Sequence, residues 1–349
     1  MDTYELNAKL EKTNHCLIRI DNNFLNQTIN ESLKFKTVHN NDDILIITDV
    51  NVYDLYPELF KNKKVFVIVD GESSKSFDTV TYIINELKIY SCNRKTVLVG
   101  IGGGVITDII GFVANIFMRG IDFVFVPTSL LAMVDAAIGG KNAINFENIK
   151  NYIGTFNLPS EIVCDVNFLK TLPYIEFKSG FGEILKYAVI ADNNLFDCLY
   201  SCNNFIESIE TKKLMEIVNL CIQTKNKIVE QDYLDTGIRQ ILNFGHSFGH
   251  CFEMIDGLPH GIAVVKGISV ALDVSEKLNF ASSENVNKVK DLLLKFDYDI
   301  DYCLSEEHFE LLVKDKKIYE NKINFVFFRN IADVFCEAIE IERLQKILL

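Results

Sequence analysis

The stretch TVLVGIGGGVITD at positions 96–108 constrains the fold more than any other part of this chain. An aliphatic, β-branched run leads into Gly100, Gly102, Gly103 and Gly104, and an apolar helical pattern follows at once. Such a run reads as a strand buried on both faces, and a buried strand that turns directly into a helix belongs to a mostly parallel sheet. Glycines at the turn let the backbone approach a pyrophosphate, and the helix that follows offers open N–H groups and a positive dipole end. The spacing is not the full GxGxxG, because Val105 stands where the third glycine would be. Taken alone, the loop fits either a dinucleotide or phosphate site or a tight turn packed on a sheet.

The neighbouring sequence repeats the strand–turn–helix rhythm. Apolar runs at 44–49, 65–70, 96–100 and 123–127 predict strands, and the patterns at 76–88 and 107–117 predict helices between them. After about residue 165 helical spacing dominates, at 179–191, 206–230, 246–254, 261–278 and 284–294, with one short strand expected at 322–328. The expected organisation is an α/β domain over 1–165 joined to a helical domain over 166–349, with a site in the cleft between them. Asp49 and Asn51 in TDVNV, and Glu72 and Lys75 in DGESSKS, follow predicted strands, where polar side chains meet a nucleotide or simply cap a helix.

Charge and cysteine content exclude several classes. A formal charge of −13 argues against nucleic acid or an anionic membrane as the main partner. No apolar run reaches the roughly 18 residues of a membrane helix. The opening MDTYELNAKLEKTN lacks a basic flank and apolar core, so a cytoplasmic protein is expected. Nine cysteines, with no CxxC, are expected to be reduced thiols.

Two constellations carry chemistry. His246, His250 and His260 fall within fifteen residues, the first two sharing a helix face, and Glu183 is the best carboxylate to join them, at an expected helix start. That set suits zinc, iron or cobalt with an open position; spacing alone leaves open which two imidazoles bind. Arg119, Lys141, Lys150, Lys186, Lys225 and Arg239 stand, with Asn151, in polar or loop-like settings. Each alone reads as a surface charge; beside the glycine loop they suggest a pocket for an anion bearing phosphate and carboxylate.

In order along the chain, GGGVITD, RGIDFVFVPTSLLAMVDAAIGGKNAIN, KNYIGTF, TLPYIEFKSGFGEILKY, DTGIRQILNFGHSFGHCFE, LPHG and the DKK at 315–317 resemble the 3-dehydroquinate synthases, within the sugar phosphate cyclases. The resemblance implies a Rossmann-like NAD-binding α/β domain followed by an all-α metal- and substrate-binding domain. It implies conversion of 3-deoxy-D-arabino-heptulosonate 7-phosphate to 3-dehydroquinate and phosphate, a lyase step of the shikimate pathway to chorismate and the aromatic amino acids. NAD would oxidise the substrate transiently and phosphate would leave by elimination, its own oxygens serving as base. Re-reduction, ring opening and an internal aldol closure would follow. The implied metal ligands are Glu183, His246 and His260, holding zinc or cobalt, with His250 beside them. The implied NAD positions are Asp49, Asn51, Glu72, Lys75, Gly103, Gly104, Val105, Asp108, Thr128, Ser129, Leu131, Asp135, Lys150, Phe168 and Thr171. Substrate would meet Arg119, Lys141, Lys150, Asn151, Lys225, Arg239, Asn243 and one of Lys316 and Lys317. Lys141, Lys186, His250 and Asn243 would serve catalysis, His250 as a proton relay. Arg119 would reach the neighbouring subunit, implying a homodimer.

The chain departs from the family pattern at Asn142 and Ala143 in GGKNA, at Ala136 after the aspartate, at Ile262 after HG, and at Tyr233 after Asp232. None removes a ligand or a substrate-gripping charge. Rival readings are a 2-deoxy-scyllo-inosose or valiolone-type cyclase, against which Asn243 and His250 stand, a metal-dependent polyol dehydrogenase, which would release NADH and lack the lysine-rich pocket, and a non-enzymatic binding protein on the same scaffold.

Overall fold

The computed structural model describes residues 15–21, 43–147, 149–202, 209–314 and 322–349. Lys316, Lys317 and the 206–208 part of one expected helix lie outside the described residues. The expected strands become β2 (Ile44–Asp49), β3 (Val65–Ile68), β4 (Val97–Gly102) and β5 (Phe123–Pro127). Every residue of β4 and β5 is buried, as continuous apolar runs require.

Two strands that the sequence reading did not mark complete the sheet, β1 (Leu17–Asp21) and β8 (Glu161–Asp165). The order across the sheet is β1-β8-β5-β4-β2-β3, and the pairings are all parallel. From β2 the chain moves to β3 at one edge, then returns to the other side of β2 as β4 and continues outward. The connections therefore diverge above the carboxyl ends of β2 and β4, which opens a crevice between Asp49 and Gly102.

Helix α1 (Val50–Leu55) leaves β2, α2 (Phe77–Ile89) follows β3, and α3 (Gly104–Ile116) leaves β4. Helix α3 starts three residues before the expected position, so Gly104 and Val105 form its first turn instead of the loop. An antiparallel hairpin, β6 (Lys141–Phe146) and β7 (Ile149–Phe156), packs on α3; the sequence reading had placed Lys141, Lys150 and Asn151 in loops. The hairpin sits on Gly111 of α3, where an added Cβ would lie 1.8 Å from Asn142 Oδ1. Asn142 Nδ2 donates to the carbonyls of Gly140 at 3.0 Å and Asn157 at 2.9 Å, pinning the base of the hairpin. The Asn142 departure is thus a packing feature, buried where the hairpin meets α3.

The rest of the chain is largely helical: α4 (Tyr174–Ile190), α5 (Asn193–Ser201), α6 (Thr211–Gln231), α7 (His246–Ile255), α8 (His260–Lys277), α9 (Ser283–Lys295), α10 (Glu306–Lys314) and α11 (Ile341–Leu348). One antiparallel pair, β9 (Lys322–Asn330) and β10 (Asp333–Glu340), extends the single strand expected there. Helix α4 is buried continuously from Ser179 to Ile190, so it runs through the interior and places Glu183 mid-helix rather than at a helix start. Among the described residues no helix is long and apolar enough to cross a membrane.

Candidate active site

Backbone contact between helices builds the site. At Gly182 of α4 and Gly261 of α8 the helices touch: a Cβ on Gly182 would lie 2.3 Å from the Gly261 carbonyl oxygen, and one on Gly261 would lie 1.8 Å from that of Ser179. The chain neighbours of these glycines are Glu183 and His260, so the contact turns those two side chains toward one another. A second backbone contact brings α7 against α8, where a Cβ on Gly267 would lie 2.0 Å from the Gly245 carbonyl oxygen. It carries His246 to the same point.

Glu183 Oε1 lies 3.5 Å from His246 Nε2 and 3.4 Å from His260 Nε2. Glu183 is fully buried, and neither carboxylate oxygen has a hydrogen-bond partner, although Lys186 forms an ion pair with Oε2. His246 Nδ1 is satisfied by the Phe244 carbonyl at 3.1 Å, and His260 Nδ1 by Glu253 Oε2 at 3.2 Å. Both Nε2 atoms therefore face the carboxylate as donors for a metal, the arrangement in which the outer ring nitrogen fixes the tautomer. Of the three imidazoles, His246 and His260 join Glu183; His250 is exposed and groups instead with Glu253 and His260.

Burial works against the Glu183 charge, but Lys186 and His246 outweigh it and hold the carboxyl at about 2. Burial and the Lys186 charge keep His246 well below the usual imidazole range, hence neutral and able to ligate. Burial also disfavours charge on His260, yet the carboxylates of Glu183 and Glu253 beside it raise it to about 9.

A cavity of about 120 Å³ adjoins this cluster, lined by Asp135, Lys141, Lys186, Lys225, Asp235, Arg239, Leu242, Asn243 and His246. Five sequence candidates, Lys141, Lys186, Lys225, Arg239 and Asn243, thus converge there. Gly139 and Gly140, with φ of +99° and +71°, make the turn that delivers Lys141, in a region other residues rarely enter. The Gly139 carbonyl accepts from Arg239 Nη2 at 3.0 Å, an approach that a Cβ would close. Arg239 is buried, and its Nε has no hydrogen-bond partner, a donor left for an anion.

Asp135, proposed for the cofactor, sits in a π-helical turn, Ala132–Ala136, and faces this cavity. It accepts from Lys225 Nζ at 2.6 Å and from the Tyr187 hydroxyl. Burial opposes its charge, but Lys225 and Lys186 hold its carboxyl well below the usual range; burial in turn pushes Lys225 down. Asp235 pairs with Lys141 at the cavity rim. Asp235 and Glu253 escaped the sequence reading, although both lie inside its quoted motif, four residues before Arg239 and three after His250.

The crevice gathers the nucleotide candidates. Helix α3 begins at Gly103 with no side-chain cap, so its first N–H groups stay open. A Cβ on Gly103 would meet Ser129 Oγ at 3.4 Å, and one on Gly104 would meet Ala136 Cβ at 3.2 Å, which places Thr128, Ser129 and Leu131 along the loop. Val105 lies in the first turn. Lys75 pairs with Asp108 at 2.6 Å and donates to Asn151 Oδ1, joining the β3 loop to α3 and β7. Glu72 Oε1 accepts from Asn145 at 2.9 Å. Asp49 caps α1 by accepting from Val52 N at 2.9 Å, while Asn51 is exposed in that helix. Thr171 Oγ1 lies 2.6 Å from the Tyr56 hydroxyl; Phe168 is buried edge-on against Tyr56 and supports this side of the crevice from behind.

Two candidates lie elsewhere. Lys150 is drawn to Glu253 and does not line the cavity. Arg119 is exposed at the far end of α3, where Met118 and Arg119 take left-handed φ values of 48° and 67°.

Residues 65–179 match the family description "3-dehydroquinate synthase N-terminal", and 180–318 match "3-dehydroquinate synthase C-terminal". A 3-dehydroquinate synthase of Campylobacter hominis is 38% identical over 311 residues, covering 86% of this chain and 89% of that one. Another, of Prochlorococcus marinus, is 35% identical over 332 residues and covers 91% of each. Among solved structures, 2-epi-5-epi-valiolone synthase of Streptomyces hygroscopicus, with NAD+ and Zn2+ bound, superposes with TM-score 0.86 at 24% identity over 99% of this chain and 98% of that one. A 2-deoxy-scyllo-inosose synthase with carbaglucose-6-phosphate, NAD+ and Co2+ gives 0.81 at 23% identity, over 95% and 96%. These two share the fold.

Proposed function

The chain belongs to the 3-dehydroquinate synthase family, and from that premise we propose how its residues turn 3-deoxy-D-arabino-heptulosonate 7-phosphate into 3-dehydroquinate and phosphate. The observation that carries the assignment is the fully buried Glu183 carboxylate, two oxygens without hydrogen bonds, faced by two imidazole nitrogens beside a cationic cavity. One carboxylate and two imidazoles suit zinc or cobalt with positions left for substrate. The uncapped start of α3 above the sheet crossover suits the pyrophosphate of NAD. When bound, the metal supplies a Lewis acid for adjacent hydroxyls, and NAD takes and returns a hydride.

The chain's own groups bind and orient. Lys186, Lys225 and Arg239 give the cavity a fixed positive floor against the negative charge of the whole molecule. Lys141, held at the rim by Asp235, meets the phosphate or carboxylate as it enters. Asn243 supplies a neutral donor and acceptor beside His246. Asp135 keeps Lys225 charged and aimed despite its burial. His250, exposed beside His260, is placed to pass a proton to solvent. Among the described residues the carboxylates lining the cavity, Asp135 and Asp235, are both paired with lysines, which supports phosphate acting as its own base. Arg119 turns outward on a strained loop, consistent with service to the site of a second copy in a homodimer. The nine free thiols suit a reducing cytoplasm, where we place the enzyme in a lyase step of aromatic amino acid biosynthesis.

The test is phosphate release from the heptulosonate phosphate, with and without chelator and added NAD. We expect release that needs both, with no net NADH. Equal release from glucose 6-phosphate or sedoheptulose 7-phosphate, or accumulating NADH, would defeat the assignment.

A further inference from the structure

We propose that Glu253 is a positioning residue that orients His260 for metal and ties the β6–β7 hairpin to it; the proposal rests on the metal centre above. Glu253 lies on α7, seven residues after His246, and uses its two oxygens for different tasks. Oε2 meets His260 Nδ1 at 3.2 Å. Oε1 takes the ammonium of Lys150, from β7 on the other side of the cleft.

The first contact decides which ring nitrogen of His260 carries the lone pair. A proton held on Nδ1 by a carboxylate leaves Nε2 bare, facing Glu183 at 3.4 Å. His246 gets the same service from a neutral carbonyl. A carboxylate does more, because it also raises the basicity of the ring it orients. The second contact makes the orientation depend on the hairpin, whose neighbouring Asn151 accepts from Lys75, itself paired with Asp108 at the nucleotide crevice. Polar contacts, joined through the backbone between Asn151 and Lys150, thus run from α3 through the hairpin to His260. The rival role is ligation, since His250, Glu253 and His260 also present three ligand atoms within 4.8 Å of one another.

The experiment strips the full-length chain with chelator and titrates it with Co2+ against a competing chromophoric chelator, for wild type, Glu253→Gln and Glu183→Gln. Amide hydrogen exchange over 149–156 is followed in parallel. We expect one Co2+ per chain in wild type, none of comparable affinity in Glu183→Gln, and a 10- to 100-fold weaker site in Glu253→Gln with apoprotein melting unchanged. Metal binding should slow exchange in the hairpin of wild type and not of Glu253→Gln. Wild-type affinity and wild-type exchange in Glu253→Gln overturn the positioning role while leaving the centre intact. Two equivalents in wild type, one of them lost in Glu253→Gln, overturn it in favour of ligation. Undiminished binding by Glu183→Gln overturns the metal centre itself. If Glu253→Gln does not fold, Glu253→Asp, too short to span both contacts, is read by the same outcomes.

Discussion

Gly261→Ala is the sharpest perturbation that the architecture offers, because it changes no ligand and no charge. The new methyl would lie 1.8 Å from the Ser179 carbonyl oxygen and 2.8 Å from its carbon. Close carbon–oxygen contacts in proteins settle at about 3.3 Å, so α8 must withdraw from α4 by roughly 1.5 Å. His260, the preceding residue, moves with it. Metal–ligand bonds tolerate only about 0.2 Å of error, so the displacement exceeds that tolerance several-fold. We expect metal affinity to fall by at least about 100-fold, as for loss of a ligand's support. Overpacking should cost the apoprotein about 1–3 kcal/mol, against less than about 1 kcal/mol gained in helix propensity. The assay is Co2+ titration with a competing chelator, alongside apoprotein thermal melts. Wild-type affinity with an unchanged melt would show that the backbone contact does not set the site.

Lys141→Ala should lower kcat/KM by about 2–5 kcal/mol in transition-state terms without moving the melting temperature, since Lys141 is half exposed and its proposed role is to grip substrate, not to hold the core. Asp135→Asn should destabilise the apoprotein by about 3–5 kcal/mol, because Lys225 stays buried without its countercharge. The pH dependence follows from the same pair. Asp135 is held well below its unfolded value of about 3.9, so its stabilisation is full above that pH and is lost as pH falls toward the folded value. Acid unfolding below about pH 4 should therefore be steeper in wild type than in Asp135→Asn, measured by circular dichroism. Inactive Arg119→Ala and Glu183→Gln chains, unfolded and refolded together in equal amounts, should recover about a quarter of wild-type activity if sites are shared across a dimer. No recovery would keep Arg119 out of the neighbouring site.

Four of the six parallel strands were legible as apolar runs, and the cationic cavity because its lysines and arginine lie in motifs of fixed order; β1 is interrupted by Arg19, and β8 offers only three apolar residues in a row. The hairpin was not, since β7 is mostly exposed and shows no alternation, and the buried position at Asn142 in β6 is polar. Helix α4 begins five residues before the expected start, at a first turn that buries no apolar residue, while Gly180 and Gly182 lie inside it and let its backbone meet its neighbours. The π-turn that aims Asp135 has no signature in AMVDA. Asp235 and Glu253 pass as surface acids until the fold sets each against a lysine from the hairpin.

Anomalous scattering from a crystal loaded with Co2+ and NAD puts the central claim to the most direct test. The account predicts one strong peak about 2.0–2.2 Å from a Glu183 carboxylate oxygen and from Nε2 of His246 and His260, with the nicotinamide ring beside it. A peak held by His250 and Glu253 instead, or a dinucleotide lying away from the start of α3, would contradict it.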